Sequence, residues 1–276
     1  MNILLVNDDG IEAEGLVRLE HCLSDFCEVY VVAPEGERSA CSHSITLRRP
    51  VRATRISERK FAVDGMPADC VNLALLNLFA GVQFDLVLSG INNGYNTGED
   101  VSYSGTVAGA IEATALGRRA VALSVGYSER PRLDAACEFT RGFVRRFPMS
   151  ELPPICFLNV NFPPGEGPFP VMVTKQGRLH FENSVTEVDN PGASGGASHG
   201  TRGFVIGRTT QYERAAKGTD VYAVNNGFIS VTPMHVDLTD TRALQVTKRL
   251  VSAALAMDEA AESSLKSGLE ARQQDA

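Results

Sequence analysis

Three stretches of this chain place oxygen-bearing side chains where a packed core has no use for them. Asn7-Asp8-Asp9-Gly10 sets two carboxylates side by side directly after the apolar run Ile3–Val6. The polar loop from Glu35 to Ser44 carries Ser39, and Asp85-Leu-Val-Leu-Ser89 runs into Gly90-Ile91-Asn92-Asn93-Gly94. If the apolar runs are neighbouring strands, two carboxylates, a hydroxyl and an amide converge on one crevice at the strands' carboxyl ends. All are oxygen donors. Such a set suits a hard cation that keeps part of its water shell: Mg²⁺, Mn²⁺ or Ca²⁺. Adjacent carboxylates repel in a crevice unless a cation sits there or one is protonated. An Asp-Gly turn accounts for one aspartate and the glycine, but not for the doublet.

Tyr103-Ser104-Gly105-Thr106-Val107 opens a helix. Free N–H groups and the helix dipole make that place a natural phosphate cradle. A plain N-cap role for Ser104 or Thr106 is the competing reading. The preceding loop, residues 90–105, is rich in Gly and Asn, so its backbone can approach a ligand closely. Arg48, Arg49, Arg52, Arg55, Arg59 and Lys60 read as a solvated basic edge, and His235 as a packed residue. Phosphate loops of the Gly-x-x-x-x-Gly-Lys-Ser/Thr type, dinucleotide fingerprints and Gly-x-Ser-x-Gly elbows are absent.

The elements that must position these groups follow an alternating grammar. Strands are expected at 2–6, 28–33, 51–56, 61–64, 85–89, 120–125 and 155–160. Helices are expected after Leu16, from Pro67 and Asp69, over 106–116, and from about 133 to 147. This alternation predicts an α/β fold: a right-handed βαβ series with a mostly parallel sheet covered by helices on both faces. After residue 165 the pattern changes. Residues 171–232 read as β pieces between long polar loops, including Gly192 to Gly203, with Asn225-Asn226-Gly227 as a hairpin turn. Asp240 is placed to cap a last helix with an apolar stripe of Leu244, Val251 and Leu255. The expected division is 1–165 as catalytic core, 166–260 as a β-rich extension that returns to the core and ends in a helix, and 261–276 as a frayed tail.

With 276 residues, 43% hydrophobic and 21% charged, the chain has enough apolar surface for a core, which excludes disorder as its main state. A net charge of −7 argues against a nucleic-acid binder, whose footprint is basic. No apolar run reaches the ~18 residues of a membrane span. The start runs from Met1-Asn-Ile-Leu-Leu-Val straight into the aspartates, which does not read as a signal peptide. Six scattered cysteines without a Cys-x-x-Cys fit free thiols. A cytoplasmic protein is therefore expected.

Several motifs, taken together, resemble the survival protein SurE family. They are Asn7-Asp8-Asp9-Gly10, the Pro34-to-Ser44 loop, Ser89-Gly-Ile-Asn92-x-Gly94-x-Asn96-x-Gly98-x-Asp100 and Tyr103-Ser-Gly-Thr-Val107. Asn159-x-Asn161-x-Pro163, Gly218-Thr-Asp220 and Ser230-x-Thr232-Pro233 complete the set, in the family's order, up to about residue 240. The resemblance implies a Rossmann-like α/β domain with a smaller C-terminal part, and a divalent-metal-dependent phosphomonoesterase, a 5'-nucleotidase that hydrolyses nucleoside 5'-monophosphates, with a range extending to 3'-monophosphates and short polyphosphate. It implies one divalent ion per subunit, Mg²⁺ or Mn²⁺ (Ca²⁺ in crystals), held by Asp8, Asp9, Ser39 and Asn92. Asp8 and Asp9 are then the catalytic pair, and Asn96, Ser104, Gly105 and Thr106 face the phosphate. A nucleotide substrate and a homodimer or homotetramer built by exchanging C-terminal elements follow, with no nucleic-acid or membrane partner.

The chain departs from the family at Arg119, where proline is usual, at the order Ala108-Gly109, and over residues 180–215, which lack the usual tryptophan. The competing class is a receiver-like or nucleotide-binding signalling module without turnover. A receiver needs an Asp at a central strand end and a Lys at a later one, and the corresponding ends here are Ser89-Gly90 and Ser124-Val125.

Overall fold

The structure is a computed structural model that describes residues 1–128, 133–178, 180–188, 202–211 and 215–253. Leu255 and most of the expected Gly192–Gly203 loop lie outside the described residues. The chain forms two compact units, Met1–Val236 and Asp237–Ala276.

The first unit is built on a nine-stranded sheet. Its strands are β1 (Asn2–Val6), β2 (Glu28–Pro34), β3 (Ala53–Ser57), β4 (Lys60–Val63), β5 (Leu86–Asn93), β6 (Ala120–Val125), β7 (Cys156–Phe162), β8 (Val171–Val173) and β11 (Ile229–His235). Their spatial order is β3-β4-β2-β1-β5-β6-β7-β11-β8. From β4 to β7 every neighbouring pair is parallel, whereas β3 and β11 run antiparallel to β4 and β7.

The pleat explains why the parallel strands read as unbroken apolar runs. Ile3 and Leu5 of β1 face one core with Leu88 and Leu123, while Leu4 and Val6 face the other with Val87 and Ala122. The first core is covered by α1 (Glu14–Leu23), through Leu16, Leu19 and Leu23, and by α4 (Asp134–Arg146). The second is covered by α2 (Pro67–Leu73), extended by a π turn over Ala74–Leu78, and by α3 (Gly105–Ala115), a helix of small residues that packs close to the sheet. Both faces are therefore dry, which a parallel sheet requires. Arg119, at the departure from proline, donates to the carbonyls of Leu152 (2.7 Å) and Pro153 (2.9 Å) and so ties the start of β6 to the turn before β7.

Beyond β8 the chain makes a separate antiparallel hairpin, β9 (His180–Val188) and β10 (Gly203–Gln211), before α5 (Asp220–Asn225) and β11. Here one expectation is overturned. Tyr222-Ala-Val and Asn225-Asn226-Gly227 do not form a strand and hairpin turn; they form α5 and its C-terminal stop. Val221, Ala223 and Val224 are buried at helical spacing, and the Thr219 hydroxyl accepts the Tyr222 N–H at 3.3 Å as N-cap. Gly227, at φ +76°, sends the Phe228 N–H back to the Ala223 carbonyl at 2.9 Å, so the Asn-Gly pair closes a helix by a Schellman bond. A four-residue apolar run carries too little period to separate the two readings.

The second unit has a helix from 244 to 253 among the described residues, on which Leu244, Leu250 and Val251 are exposed. Asp240 accepts the Arg242 N–H at 3.0 Å in the turn that precedes it. No helix among the described residues is long and apolar enough to cross a membrane.

Leu5 is fully buried in the strand that leads to the aspartates. Leu5→Ala should cost about 2–5 kcal/mol of unfolding free energy, read from urea denaturation. A loss below about 1 kcal/mol would show that this core collapses around the missing atoms.

Candidate active site

From β1 the chain moves through β2 to β4 on one side of the sheet and then crosses through α2 to β5 on the other side of β1, so the strand order reverses between β1 and β5. Ligands of open α/β sheets bind at such a switch point. The structure places a cleft of ≈ 450 Å³ there, with Asp8, Asp9, Glu37, Ser39, Asn92 and Asn93 along one side. Tyr95, Asn96, Asp100, Tyr103, Ser104 and Tyr127 also line it. All four residues expected to hold a cation meet in this cleft, together with Asn96 and Ser104 from the expected phosphate group.

Gly105 and Thr106 are brought to the same place but work from behind it. Asp8 is only 5% exposed, and the Thr106 hydroxyl donates to its Oδ1. The backbone amides of Gly105 and Thr106 also donate to the Asp8 carboxylate. The next amide, Val107 N–H, goes to the Ser104 hydroxyl at 3.0 Å, which makes Ser104 the N-cap. The free amides of the helix start are thus spent inside the protein, and the positive end of the helix dipole rests on Asp8. Burial pushes the Asp8 carboxyl above its ordinary range, while these donors pull it back. Gly105 is required by contact: a Cβ there would lie 2.7 Å from Asp8 Cβ and 2.7 Å from Cys41 Sγ.

Asp9 is more open. Its Oδ2 accepts the Asn93 N–H at 3.4 Å. Burial and the neighbouring Asp8 charge raise its carboxyl to about 6, with Glu37 adding to the effect. Asn7 fixes the turn that presents both aspartates, since its amide donates to the Gly10 carbonyl at 2.8 Å and accepts the Gly10 N–H at 3.3 Å. The Ser39 loop is pinned by Arg38 N–H to the Asp8 carbonyl (2.7 Å) and Ser42 N–H to the Tyr103 carbonyl (2.9 Å). Ser39 is exposed and donates to Glu37. Asn92 donates its amide nitrogen to the Gly94 carbonyl at 2.8 Å, so its oxygen is the atom left for a cation.

The donor set fits a hard divalent ion. Asp8, Asp9, Glu37 and Asp100 put four carboxyl groups around one cleft, and among the described residues no lysine, arginine or histidine lines it. Burial first, and then the neighbouring Asp8 and Glu37 charges, raise the Asp9 carboxyl, and a cation would offset the repulsion among them.

Asn96 is only 6% exposed and is held from β7. Its N–H donates to Asn161 Oδ1 at 2.8 Å, its carbonyl accepts from Asn159 Nδ2 at 2.7 Å, and its own amide donates to Ser124 Oγ at 2.8 Å. Asn159 and Asn161 therefore hold the loop that crosses the cleft. Asp100 and Tyr103 stand in the motifs quoted above without a site role, and Glu37, Tyr95 and Tyr127 were not singled out by sequence reasoning. Tyr127 follows the carboxyl end of β6, so the strand-end argument that found Asp8 would have found it too.

The family model for survival protein SurE matches residues 3–183. A protein from Geotalea daltonii named 5'-nucleotidase SurE is 41% identical over 252 residues, covering 90% of this chain and 98% of that one. Another of that name, from Methylocella silvestris, is 42% identical over 253 residues, covering 88% and 97%. The crystal structure of the SurE protein from Aquifex aeolicus aligns with a TM-score of 0.79 at 35% identity, covering 91% of this chain and 99% of that one.

The Thr106 hydroxyl lowers the pKa of Asp8, so removing it must raise that pKa further. Protons then compete with a bound cation at higher pH. Thr106→Val should shift the acid limb of Mn²⁺ binding upward, whereas Thr106→Ser should keep it in place. Superimposable Mn²⁺ titrations of Val and Thr proteins across pH 5–8 would refute this role for Thr106.

Proposed function

This chain belongs to the survival protein SurE family, and we propose that it works as a divalent-metal-dependent 5'-nucleotidase, hydrolysing nucleoside 5'-monophosphates to nucleoside and phosphate. The observation that carries the proposal is the acidic cleft at the β1/β5 switch point. Four carboxyl groups without a base among the described lining residues repel a phosphate, so a phosphomonoester enters only with a cation.

Asp8, Asp9, Ser39 and Asn92 would hold one Mg²⁺ or Mn²⁺ per subunit. When bound, the ion supplies charge neutralisation to the phosphoryl group and acidity to an attacking water. The chain's own groups do the rest. Asp8 is locked in position by Thr106 and the start of α3. Asp9, open to the cleft and bonded through its Oδ2 to Asn93 N–H, takes the proton of the attacking water. Asn96 and Ser104 line the same cleft and orient the phosphate oxygens, while Gly105 and Thr106 bring the positive end of α3 against Asp8. A second groove of ≈ 450 Å³ shares Asp9, Glu37, Asn93 and Tyr127 with the first and extends it toward Leu133. It accommodates the nucleoside, with the exposed Tyr127 ring available for the base.

Two surfaces support assembly as a homo-oligomer through C-terminal elements. The β9–β10 hairpin exposes Val185, Phe204, Val205 and Ile206, and a two-stranded sheet alone is marginal in water. The helix at 244–253 exposes its apolar residues as well. Exchange of such elements is a low-cost route to dimers.

Phosphate release from AMP or GMP with Mn²⁺ tests the activity. Chelation should abolish it and Mg²⁺ or Mn²⁺ should restore it; full turnover after exhaustive chelation would sink the metal reading. Asp8→Asn or Asp9→Asn should each lower kcat by at least about a hundredfold while the protein still folds. Near-normal kcat in either variant at saturating metal would reduce the doublet to a turn. Light scattering should give a mass of at least twice the 29.7 kDa chain, and a stable monomer at micromolar concentration would remove the assembly proposal.

A further inference from the structure

The loop from Asn96 to Ser104 is held at a second point by a buried carboxylate that none of the chemistry above uses. Asp220, the first residue of α5, is 0% exposed. Its Oδ2 accepts the Gly98 N–H at 3.0 Å, across 122 residues of chain. Its Oδ1 accepts the Gly177 N–H at 2.7 Å and the Val221 N–H at 2.8 Å. The Gly98 carbonyl in turn accepts Gln176 Nε2 at 2.7 Å. Both polar backbone atoms of Gly98 are therefore bonded to the C-terminal part of the first unit.

The place of these partners matters. Lys175 N–H donates to the Gly218 carbonyl at 3.1 Å, and Asp220 N–H to the Lys175 carbonyl at 3.0 Å, which joins the two strands of chain that leave for and return from the β9–β10 hairpin. Asp220 thus sits at the root of that hairpin and reaches into the cleft loop. Gly98 begins the 3₁₀ turn Gly98–Ser102, and the same loop delivers Asn96, Asp100, Tyr103 and Ser104 to the cleft.

We propose that Asp220 is a positioning residue for the nucleotidase reaction: it fixes Gly98, and through it the phosphate-facing loop, to the root of the hairpin. Among the described residues no hydrogen bond joins Asp220 directly to the metal-holding groups on β1, β5 and the Ser39 loop. Asp220 therefore acts first on the phosphate-facing loop, and substrate binding depends on it more than cation binding does. An asparagine of the same shape cannot replace it. With one amide nitrogen in place of an oxygen, either Gly98 or the Gly177–Val221 pair loses its acceptor and meets a donor instead.

The proposal rests on the nucleotidase reading for its kinetics, but one readout is independent of activity. In Asp220→Asn, hydrogen exchange of the amides at 97–104 should accelerate at least about tenfold, while β1 and β5 keep their protection. KM for AMP should rise about tenfold, kcat should change by less than about threefold, and Mn²⁺ affinity should stay within about threefold of wild type. A purely structural role would lower the melting temperature and the active fraction, leaving KM and the local exchange pattern of the folded fraction unchanged; that result overturns the proposal. Should Asp220→Asn fail to fold, Gln176→Leu loosens the same Gly98 clamp from an exposed position and should give the same pattern at smaller amplitude. Unchanged exchange and KM in that variant would equally overturn it. If wild-type protein releases no phosphate from AMP, the nucleotidase reading fails, and the exchange experiment alone decides the role of Asp220.

Discussion

The structure depends on a buried carboxylate held by the start of a helix. Asp8 sits at the carboxyl end of a central strand with almost no solvent, a position that disfavours its charge. Thr106 and the first amides of α3 offset that cost, and in doing so they fix how α3 lies on the sheet. Glycine at 105 and the small residues along α3 follow from the same contact, because any bulk there would push the carboxylate out of place. The cleft, the Ser39 loop bonded to the Asp8 carbonyl, and the negative charge that calls for a cation all build outward from it.

The opposite side of the cleft is organised differently. Its loop of glycines and asparagines leaves the carboxyl end of β5 and runs to α3 without a strand partner of its own, so it is held by bonds to its backbone from elsewhere. Asn159 and Asn161 supply them at Asn96, and Asp220 and Gln176 supply them at Gly98. These partners come from β7 and from the segments flanking the hairpin, so the C-terminal part of the first unit completes a site whose charged half belongs to the N-terminal strands. In this network the buried Asn159, Asn161 and Asp220 side chains are spent on backbone groups of the loop, and Asn159 Oδ1 alone among them has no hydrogen-bond partner among the described residues.

Much of this was legible in the residues. The parallel core follows from apolar runs alternating with helical spacing, because strands buried on both faces must be apolar throughout. The aspartate doublet, Ser39 and Asn92 were legible as a group because polar residues at strand ends have no structural use in a dry core. The hairpin expected at Asn225–Gly227 was not, since a short apolar run with Asn-Gly behind it serves a strand and a capped helix equally well. Glu37, Asp100 and the tyrosines of the cleft sit in irregular loops, where no period marks which side chain turns inward.

The sequence by itself determined the strands and helices of the parallel core, and which oxygen donors gather at the strand ends, because burial and period are local properties of the chain. Only the tertiary structure decided what the helix-start residues do. From the sequence, Ser104, Gly105 and Thr106 present amides and hydroxyls to a phosphate or to a cap. In the fold, Thr106 meets Asp8 across 98 residues, and the amides beside it are taken by the same carboxylate. A hydrogen-bond donor has no preference for a partner until topology brings one within reach and excludes water from the pair, and that happens only when β1 and α3 pack together.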